Sequence, residues 1–537
     1  MHRRSFLKAL PTAALAAPLA APGIRKAAAQ AAPTRNETLL LVQEYGPNSL
    51  DMQGIGSSQP VNGVALNCYD RLVRFKRVKL DDVTTSFDIN ALEPELAESW
   101  QEASDGTSVT FKIRADARFH GGRSVTARDV KWSLDRAVSI GGFATTQMNA
   151  GSLEKPEQFV AVDDRTFRVD FARRDKLTMP NLAVTIPFVF DSELAIRNGG
   201  GDPWAKEYLK NNVAGGGAFK VEAWRPGTET IYTRNDDWKN GDLPKLRRVI
   251  ARDIPSPSTR RALIERGDAD ISYGLPPKDF KDLADAGRIK VAAVPVPNAI
   301  WYVALNSALP PFNNLKLRQA VAWALPYEKI MQASLFGRGV PMWGGPATPA
   351  ALKWPVPFPY SANIERAKAL MAESGVAPFS TTLLFDAGSG TIAEPMAVLV
   401  KEALAPLGIT VELNKIPGAN FRGELNKKTA PMVINRFGGW LDWPDYFFFW
   451  NYHGNNSIFN IPSYQNPAMD RLIDGARFAP DAASYAQNVR GFLELGMQEV
   501  PFIAIAQPFH DVAMQRTIGG YQFWPCREPD FRFLTKG

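Results

Sequence analysis

Histidine and cysteine are scarce in this chain, which has four histidines and two cysteines among 537 residues. Beyond the first residues, the histidines are His120, His453 and His510, and none stands at metal-ligand spacing from another. We therefore expect no metal site, and we interpret His120 as a structural histidine. Two cysteines cannot form a disulfide framework, so Cys68 and Cys526 are either one disulfide or two separate buried thiols.

The sequence also lacks the motifs that mark common catalytic and nucleotide-binding sites. It contains no HExxH, CxxC, P-loop or GxSxG pattern. Gly54-Ile-Gly56 has no further glycine at the spacing of a dinucleotide-binding loop, and Gly215-Gly-Gly217 leads into a strand-like segment. These absences predict a binding protein that is not an enzyme and has no cofactor.

No segment beyond the N-terminus has the uninterrupted apolar length of a membrane helix. The N-terminus itself has a basic run, Arg3-Arg4-Ser5-Phe6-Leu7-Lys8, followed by a short stretch of alanine, leucine and proline and then by small residues. This layout is typical of a signal peptide, and the two arginines resemble the twin-arginine export motif. We predict that residues 1–31 are the signal peptide, with cleavage after Ala31 or Ala29, and that the mature chain is periplasmic. The alternative is an ordinary basic N-terminus.

The positive charge of the chain is concentrated in that segment. Residues 1–31 carry five basic side chains and no acidic one, so their removal lowers the formal charge from +7 to +2. A nearly neutral mature chain gives little support to a nucleic-acid partner. We therefore expect no nucleic-acid binding.

Strand-like and helix-like segments alternate through much of the chain, which favours an α/β fold. Thr126 to Asp129 is a capping box ahead of a helix, and Gly375 is placed to end another helix. The sequence predicts helices over 364–374, 393–404 and 482–498, and strands over 381–385, 409–413, 432–437 and 502–506.

The segment 435–452 is dense in aromatic side chains and also contains Arg436, Asp442 and Asp445. One interpretation is the edge of an aromatic core with solvated charges. The other is the wall of a ligand site, in which flat apolar faces surround a few charged groups. The residues alone leave both interpretations open.

Several motifs in order resemble those of the peptide/nickel-type extracellular solute-binding proteins of ABC importers. They include Leu96-Ala-Glu-Ser-Trp100, Phe119-His-Gly-Gly122, Asn235-Asp-Asp-Trp238, Tyr302-Val-Ala-Leu-Asn306 and Trp440-Leu-Asp-Trp-Pro-Asp445. The resemblance covers essentially the whole mature chain. The sequence departs from the family's usual Gly-Thr-Gly-Pro-Tyr with Gly-Gly-Gly-Ala-Phe at 215–219, and it has Pro326-Tyr327 where Asp-Arg is common.

The resemblance implies an α/β, two-lobed periplasmic-binding-protein-like fold with two crossing strands and an extra subdomain in lobe I. Lobe I would comprise residues 32–296, as two subdomains, together with residues 508–537. Lobe II would comprise residues 297–507. The expected function is a monomeric periplasmic receptor that binds a peptide or peptide-like solute between the lobes and delivers it to a membrane permease. The alternatives are a receptor for an oligosaccharide, an opine or another small solute, and less favoured ones are an exported enzyme or a holdase.

The resemblance also implies which residues bind the ligand. In oligopeptide receptors of this family, an Asp in the segment matching 435–452 holds the α-amino group of the ligand, and an Arg six residues upstream can hold its carboxylate. Asp442 and Arg436 match these positions, and Trp440 and Trp443 would shape the side-chain pockets. The stretch after Asp442 is shorter than usual in the family, so Asp445 is an alternative amine anchor. A second alternative is that Arg436 and Asp442 pair with each other.

Overall fold

The structure is a computed structural model that describes residues 33–296, 299–341, 356–455 and 459–537. The predicted signal peptide and residue 297, where the first predicted lobe boundary falls, lie outside these ranges. The helices are α1 (Val61–Cys68), α2 (Ala127–Ser139), α3 (Gly142–Asn149), α4 (Thr178–Asn181), α5 (Ser192–Asn198), α6 (Lys206–Asn211), α7 (Pro257–Arg266), α8 (Pro277–Ala286), α9 (Leu315–Ala324), α10 (Tyr327–Leu335), α11 (Ile364–Ser374), α12 (Gly390–Leu404), α13 (Gly418–Asn426), α14 (Pro444–Tyr452), α15 (Pro467–Arg477) and α16 (Ala482–Glu499).

The strands alternate with these helices through much of the chain, so the α/β prediction is confirmed. They are β1 (Thr38–Gln43), β2 (Val73–Lys79), β3 (Thr84–Pro94), β4 (Ala97–Glu102), β5 (Ser108–Ile113), β6 (Phe159–Ala161), β7 (Thr166–Asp170), β8 (Phe219–Arg225), β9 (Glu229–Arg234), β10 (Arg248–Asp253), β11 (Ile271–Tyr273), β12 (Lys290–Pro295), β13 (Ala299–Leu305), β14 (Gly339–Pro341), β15 (Phe379–Asp386), β16 (Ile409–Ile416), β17 (Met432–Gly438), β18 (Phe502–Met514), β19 (Ile518–Gly519), β20 (Tyr521–Gln522) and β21 (Thr535–Lys536).

Local signals set many of the helix ends. The backbone N–H and the hydroxyl of Thr126 both donate to Asp129 Oδ2, at 2.9 and 2.8 Å, and this capping box begins α2. Helix α11 ends at Gly375, which adopts the left-handed conformation that glycine tolerates best. The Asp481 side chain accepts a hydrogen bond from the Ser484 N–H at the start of α16.

The main sheet consists of two halves joined by β18. Its path is β16-β15-β17-β13-β18-β11-β1-β10-β9-β8, with β12 and β14 also paired to β18. The first residues of β18 pair with β13, as in Phe502 with Ala304, whereas its last residues pair with β11 and β12, as in Met514 with Ile271 and Lys290. The chain therefore links the halves twice, through β18 and through the connection from β12 to β13.

Besides the short pair β19–β21, two smaller sheets lie within the predicted lobe I. One has the order β4-β5-β7-β6, and α2 packs against β6 and β7. The other has the order β2-β3-β20, so the C-terminal segment returns to pair with an early strand. All strands between β1 and β8, which are β2 to β7, belong to these two sheets and not to the main sheet.

The aromatic segment after β17 belongs mostly to the core. On α14, Tyr446, Phe447, Phe448, Trp450 and Tyr452 are all buried, and their rings contact one another and the ring of Phe492 or Phe502. Large aromatic rings bury much apolar area, so this cluster contributes strongly to the packing of the helix. The core interpretation of the segment therefore holds for α14.

Helices α14 and α15 also contact residues of the predicted lobe I. The hydroxyl of Tyr446 donates to Gln147 Oε1 at 2.8 Å. The guanidinium of Arg477 pairs with Asp175 at 3.0 Å, and both side chains are almost fully buried. These contacts join segments on either side of the predicted lobe boundaries, which themselves stay a prediction.

Close backbone contacts explain the run of glycines at 215–217, including Gly216, where the family usually has threonine and a Cβ would lie 2.7 Å from the carbonyl oxygen of Arg118. A Cβ on Gly215 would lie 1.9 Å from the carbonyl oxygen of Cys68, and one on Gly217 would lie 2.5 Å from the Tyr69 nitrogen. Only glycine allows the two backbone segments to approach so closely. Cys68 itself is buried and unbonded, as is Cys526, so the structure has two separate thiols and no disulfide between them.

Candidate functional site

A cleft with a cavity volume of about 350 Å³ lies where strand ends from both halves of the main sheet meet. Strand β1 runs parallel to β10 and β11, so the carboxyl ends of these three strands lie at one edge. Gln43, Tyr45 and Tyr273 line the cleft from that edge, and Trp301 and Arg436 line it from β13 and β17. The volume falls within the range of small-molecule sites.

Two arginines dominate the charge of the cleft. Arg436 is exposed on β17, and Arg527 is half-buried in the C-terminal segment. Among the described residues, neither guanidinium forms an ion pair or a side-chain hydrogen bond, and Arg527 Nε is buried without a partner. Burial, together with the neighbouring positive charge of Arg436, lowers the pKa of Arg527 to about 10.

Burial favours the neutral form of the carboxyl group next to these arginines. Glu528 is buried, and its carboxyl accepts hydrogen bonds from the Tyr273 hydroxyl at 3.1 Å and the Gln59 amide at 3.5 Å. Burial raises the pKa of Glu528 to about 8, and the opposing effects of Tyr273 and Arg527 are smaller. Glu528 therefore does little to neutralise the two guanidiniums.

Most of the other charged residues of the cleft form ion pairs or hydrogen bonds within the protein. Arg338 forms an ion pair with Asp511. The guanidinium of Arg260 donates to the backbone carbonyls of Ile254, Pro255 and Gly274. Burial and the charge of Arg527 lower the pKa of His510 to about 3, so its ring is neutral at physiological pH. The cleft thus has a positive centre at Arg436 and Arg527.

Asp442, Trp443 and Trp440 line cavities other than the cleft that Arg436 lines. Asp442 and Trp443 line a cavity of about 580 Å³ together with Asn90, Tyr485 and Arg490. Trp440 is buried, and its ring packs edge-on against Phe143 with the ring centroids 5.0 Å apart. The predicted pairing of Arg436 with Asp442 does not appear among the ion pairs of the described residues.

Asp445 is fully buried at the start of α14 and contacts residues from two other segments. Its Oδ1 accepts a hydrogen bond from Lys176 Nζ at 2.7 Å and one from the Tyr485 hydroxyl at 3.0 Å. The Lys176 ammonium also lies 3.4 Å from the centre of the Tyr485 ring. Burial lowers the pKa of Lys176, and the charge of Asp445 opposes that shift. The carboxylate of Asp445 is therefore already paired with the ammonium group of Lys176.

Residues 91–459 match the model of the bacterial extracellular solute-binding proteins, family 5, and this match covers more than half of the chain. The chain belongs to this family. One relative of this solute-binding protein is the probable D,D-dipeptide-binding periplasmic protein DdpA of Escherichia coli, at 27% identity over 87% of the chain and 88% of the relative. Because the family is one of binding proteins, the prediction of a solute-binding protein is confirmed.

Solved structures share the fold of this solute-binding protein. A dipeptide-binding protein from Pseudoalteromonas sp. SM9913, in complex with Met-Leu, matches with a TM-score of 0.79 and 21% identity over 93% of this chain and all of that one. AgaA from A. tumefaciens R10, in complex with agropinic acid, matches with a TM-score of 0.77 and 22% identity over 93% of this chain and 99% of that one. The predicted two-lobed fold of periplasmic binding proteins is confirmed.

Sequence reasoning missed the C-terminal side of the cleft in this solute-binding protein. Arg527 and Glu528 were assigned to the segment returning to lobe I, and neither was selected as a site residue. The available signal was a pair of adjacent charges shortly after Phe523 and Trp524, which are both buried. Within the described ranges, no helix has the length and apolarity to cross a membrane, and no cluster of three or more potential metal ligands occurs.

Proposed function

We propose that this chain is the periplasmic receptor of an ABC importer and binds a peptide or peptide-like solute in the cleft between its two lobes. The observation that carries the proposal is the cleft itself, which both halves of the main sheet line and in which Arg436 has no described anionic partner. A peptide supplies a carboxylate for such a group, whereas a neutral sugar leaves it unpaired. The names of relatives such as the oligopeptide-binding protein AppA of Bacillus subtilis support the same class of ligand.

A binding screen tests this proposal directly. Pools of dipeptides, tripeptides and longer peptides, and a panel of oligosaccharides, are added to the mature protein, and the melting temperature is recorded. A ligand that binds the folded state raises the melting temperature, because at a concentration of one hundred times its Kd it adds about 2.7 kcal/mol to the free energy of unfolding. We expect a peptide pool to give the largest shift, confirmed by calorimetry. Shifts with sugars alone, or turnover of a peptide, would contradict the proposal.

Export belongs to the same proposal. We infer that the Arg3-Arg4 signal sends the chain through the twin-arginine route and that residues 1–31 are removed. Replacing both arginines with lysine is expected to trap the precursor inside the cell, as measured by immunoblotting of periplasmic and cytoplasmic fractions. Replacing Arg25 with lysine provides a control that makes the same charge-conserving substitution outside the motif. Normal periplasmic levels of the double lysine variant would refute the twin-arginine route.

We infer that ligand binding closes the two lobes about hinges near residues 297 and 507. Two chain connections between the halves permit a hinge motion, and Gln507 lies within β18, which pairs with strands of both halves. A saturating peptide is expected to reduce the radius of gyration measured by small-angle scattering. Identical scattering curves with and without the peptide would argue against closure.

We infer from the family resemblance that Asp442 anchors the ligand's amino group, with Trp440 and Trp443 shaping the adjacent walls, although Asp442 and Trp443 line a cavity other than the cleft. An ammonium group that enters a closed site requires a carboxylate partner, because its desolvation is otherwise very costly. Removing one member of such a pair costs about 2–5 kcal/mol. We therefore expect Asp442→Asn to weaken the binding of a free-amine peptide by more than tenfold, as measured by calorimetry.

The controls for Asp442 separate binding from folding. Asp237→Asn changes an exposed carboxylate elsewhere and is expected to leave affinity unchanged. An N-acetylated peptide is expected to bind weakly to the wild type and to lose little more with Asp442→Asn. Asp445→Asn is expected to lower the melting temperature even without ligand, because Asp445 pairs with Lys176. Unchanged peptide affinity in a folded Asp442→Asn variant would refute the anchor role of Asp442.

A further inference from the structure

The two arginines of the cleft differ from most buried arginines of this protein. Arg71, Arg136, Arg477 and Arg532 are each paired with at least one buried carboxylate. Arg260 instead donates from both terminal nitrogens of its guanidinium to backbone carbonyls. In the described part of the chain, Arg436 and Arg527 have neither kind of partner, although both border the same cavity.

The geometry of β17 places these two arginines close to each other. Side chains two residues apart on a strand lie on the same face, so Arg436 and position 438 share a face of β17. Position 438 is a glycine, and a Cβ there would lie 3.1 Å from Arg527 Nη1. Arg527 therefore extends from the C-terminal segment into the space that a side chain at 438 would fill, next to Arg436.

The groups around the pair do not cancel its charge. Tyr45, Glu44, Glu528, Cys526 and His510 are titratable groups near the pair, and the His510 ring is neutral. Glu44 is exposed, and Glu528 lines the cleft but accepts a hydrogen bond from the Tyr273 hydroxyl. Burial raises the pKa of Cys526 to about 12 and also raises that of Tyr45, so the thiol and the phenol stay neutral. Two adjacent cations are thus left facing a cavity.

We propose, on the basis of the proposed receptor function, that Arg436 and Arg527 together bind one carboxylate of the solute. Arg436 lies on β17, within the predicted lobe II, and Arg527 lies in the segment predicted to return to lobe I. Guanidinium groups match the geometry of a carboxylate and bind it through paired hydrogen bonds. The shared carboxylate removes the repulsion between the cations and joins the two sides of the cleft, which makes an anionic group a requirement for tight closure.

A first experiment uses a simple dicarboxylate, succinate, to test the anion site without knowledge of the natural solute. Succinate is compared with sodium chloride at equal ionic strength, and the melting temperature is measured for the wild type, Arg436→Gln, Arg527→Gln and the control Arg197→Gln. Arg197 is an exposed arginine on α5. We expect succinate to raise the melting temperature of the wild type and of Arg197→Gln, and to raise that of the two cleft variants by less than half as much. Equal shifts in all four proteins would overturn the proposal.

A peptide arm tests the shared carboxylate. Alanine dipeptides and tripeptides of both L and D configuration are compared as free acids and as C-terminal amides. The wild type is expected to bind the best free acid about tenfold or more tightly than its amide, and Arg527→Gln is expected to lose most of this preference. A merely structural role of Arg527 would weaken acid and amide equally, and that result would contradict the proposal.

The two arms distinguish this inference from the proposed function. If these peptides bind as acids and amides with equal affinity, the peptide receptor stands and the arginine pair is refuted as its carboxylate site. If sugars alone bind and the succinate effect still depends on Arg527, the anion site stands and the peptide proposal fails. The double variant Arg436→Gln/Arg527→Gln is expected to lose little more acid preference than either single variant, because both arginines contact the same group.

Discussion

Replacing Arg532 with methionine is expected to lower the free energy of unfolding by about 3–5 kcal/mol. The Arg532 guanidinium donates to Glu95 Oε1 and to Asp530 Oδ2, both at 2.7 Å, and all three side chains are buried. Glu95 is also paired with Arg71 at 3.0 Å. Methionine preserves the apolar part of the side chain but leaves two buried carboxylates with a single cation. Urea denaturation followed by tryptophan fluorescence measures the loss.

An exposed ion pair provides the control for Arg532. Arg266 pairs with Asp268 at 2.9 Å, and both side chains are more than half exposed. Arg266→Met is expected to cost less than about 1 kcal/mol, because water already solvates both charges. Equal losses in the two variants would contradict the assigned role of the buried network.

The buried network also predicts the response to acid. Burial tends to raise the pKa of Asp530, but the charge and hydrogen bonds of Arg532 outweigh it and hold that pKa below its ordinary value. A carboxyl whose pKa is lowered by folding stabilises the protein above its unfolded pKa of about 3.9, and this contribution is lost as the pH falls further. We expect Arg532→Met to remove this contribution, so that its stability falls less steeply than that of the wild type below about pH 4.

Arg477→Met is expected to destabilise the protein by a similar amount, about 3–5 kcal/mol. Arg477 Nη2 lies 3.0 Å from Asp175 Oδ2 and donates to the carbonyls of Asn149 and Ala150 at 3.0 and 2.8 Å. The guanidinium also stacks near the Phe449 ring, 4.7 Å from its centroid. The variant leaves Asp175 charged and buried without a cation, and it removes the connection between α15 and the residues after α3.

Arg471 is the matched control for Arg477, because it lies on the same helix and is exposed. Arg471→Met is expected to change the free energy of unfolding by less than about 0.5 kcal/mol. The same denaturation experiment on both variants isolates the buried contacts from any effect on helix propensity. A small loss with Arg477→Met would mean that α15 is held mainly by its apolar contacts.

Much of the fold could be predicted from local patterns. The helix ended by Gly375 was predicted at the bounds that α11 has, and Asp481 caps α16 as predicted. The predicted strands 409–413 and 502–506 lie within β16 and β18, but both strands extend further. Strand β18 is longer because its continuation is set by partners on β11 and β12, which a local pattern does not reveal.

The site was predicted less completely than the fold. Arg436 lines the cleft, but Arg527 and Glu528 were missed because they lie about ninety residues later in the chain. Asp445 looked like a second candidate anchor, yet Lys176, which is 269 residues away in sequence, already pairs with it. Spacing within one segment carries no information on partners that come from distant segments.

The sequence by itself determined the family, the α/β class and the ends of several helices, because apolar periodicity, capping residues and glycines act within a few residues of chain. Only the tertiary structure decided which charged groups are satisfied by the protein and which face a cavity. Arg532, Arg477 and Asp445 are paired in the interior, whereas Arg436 and Arg527 line the same cavity with no described carboxylate partner. The physical reason is that pairing and desolvation depend on distances between residues far apart in the chain, which exist only once the two halves of the main sheet have come together.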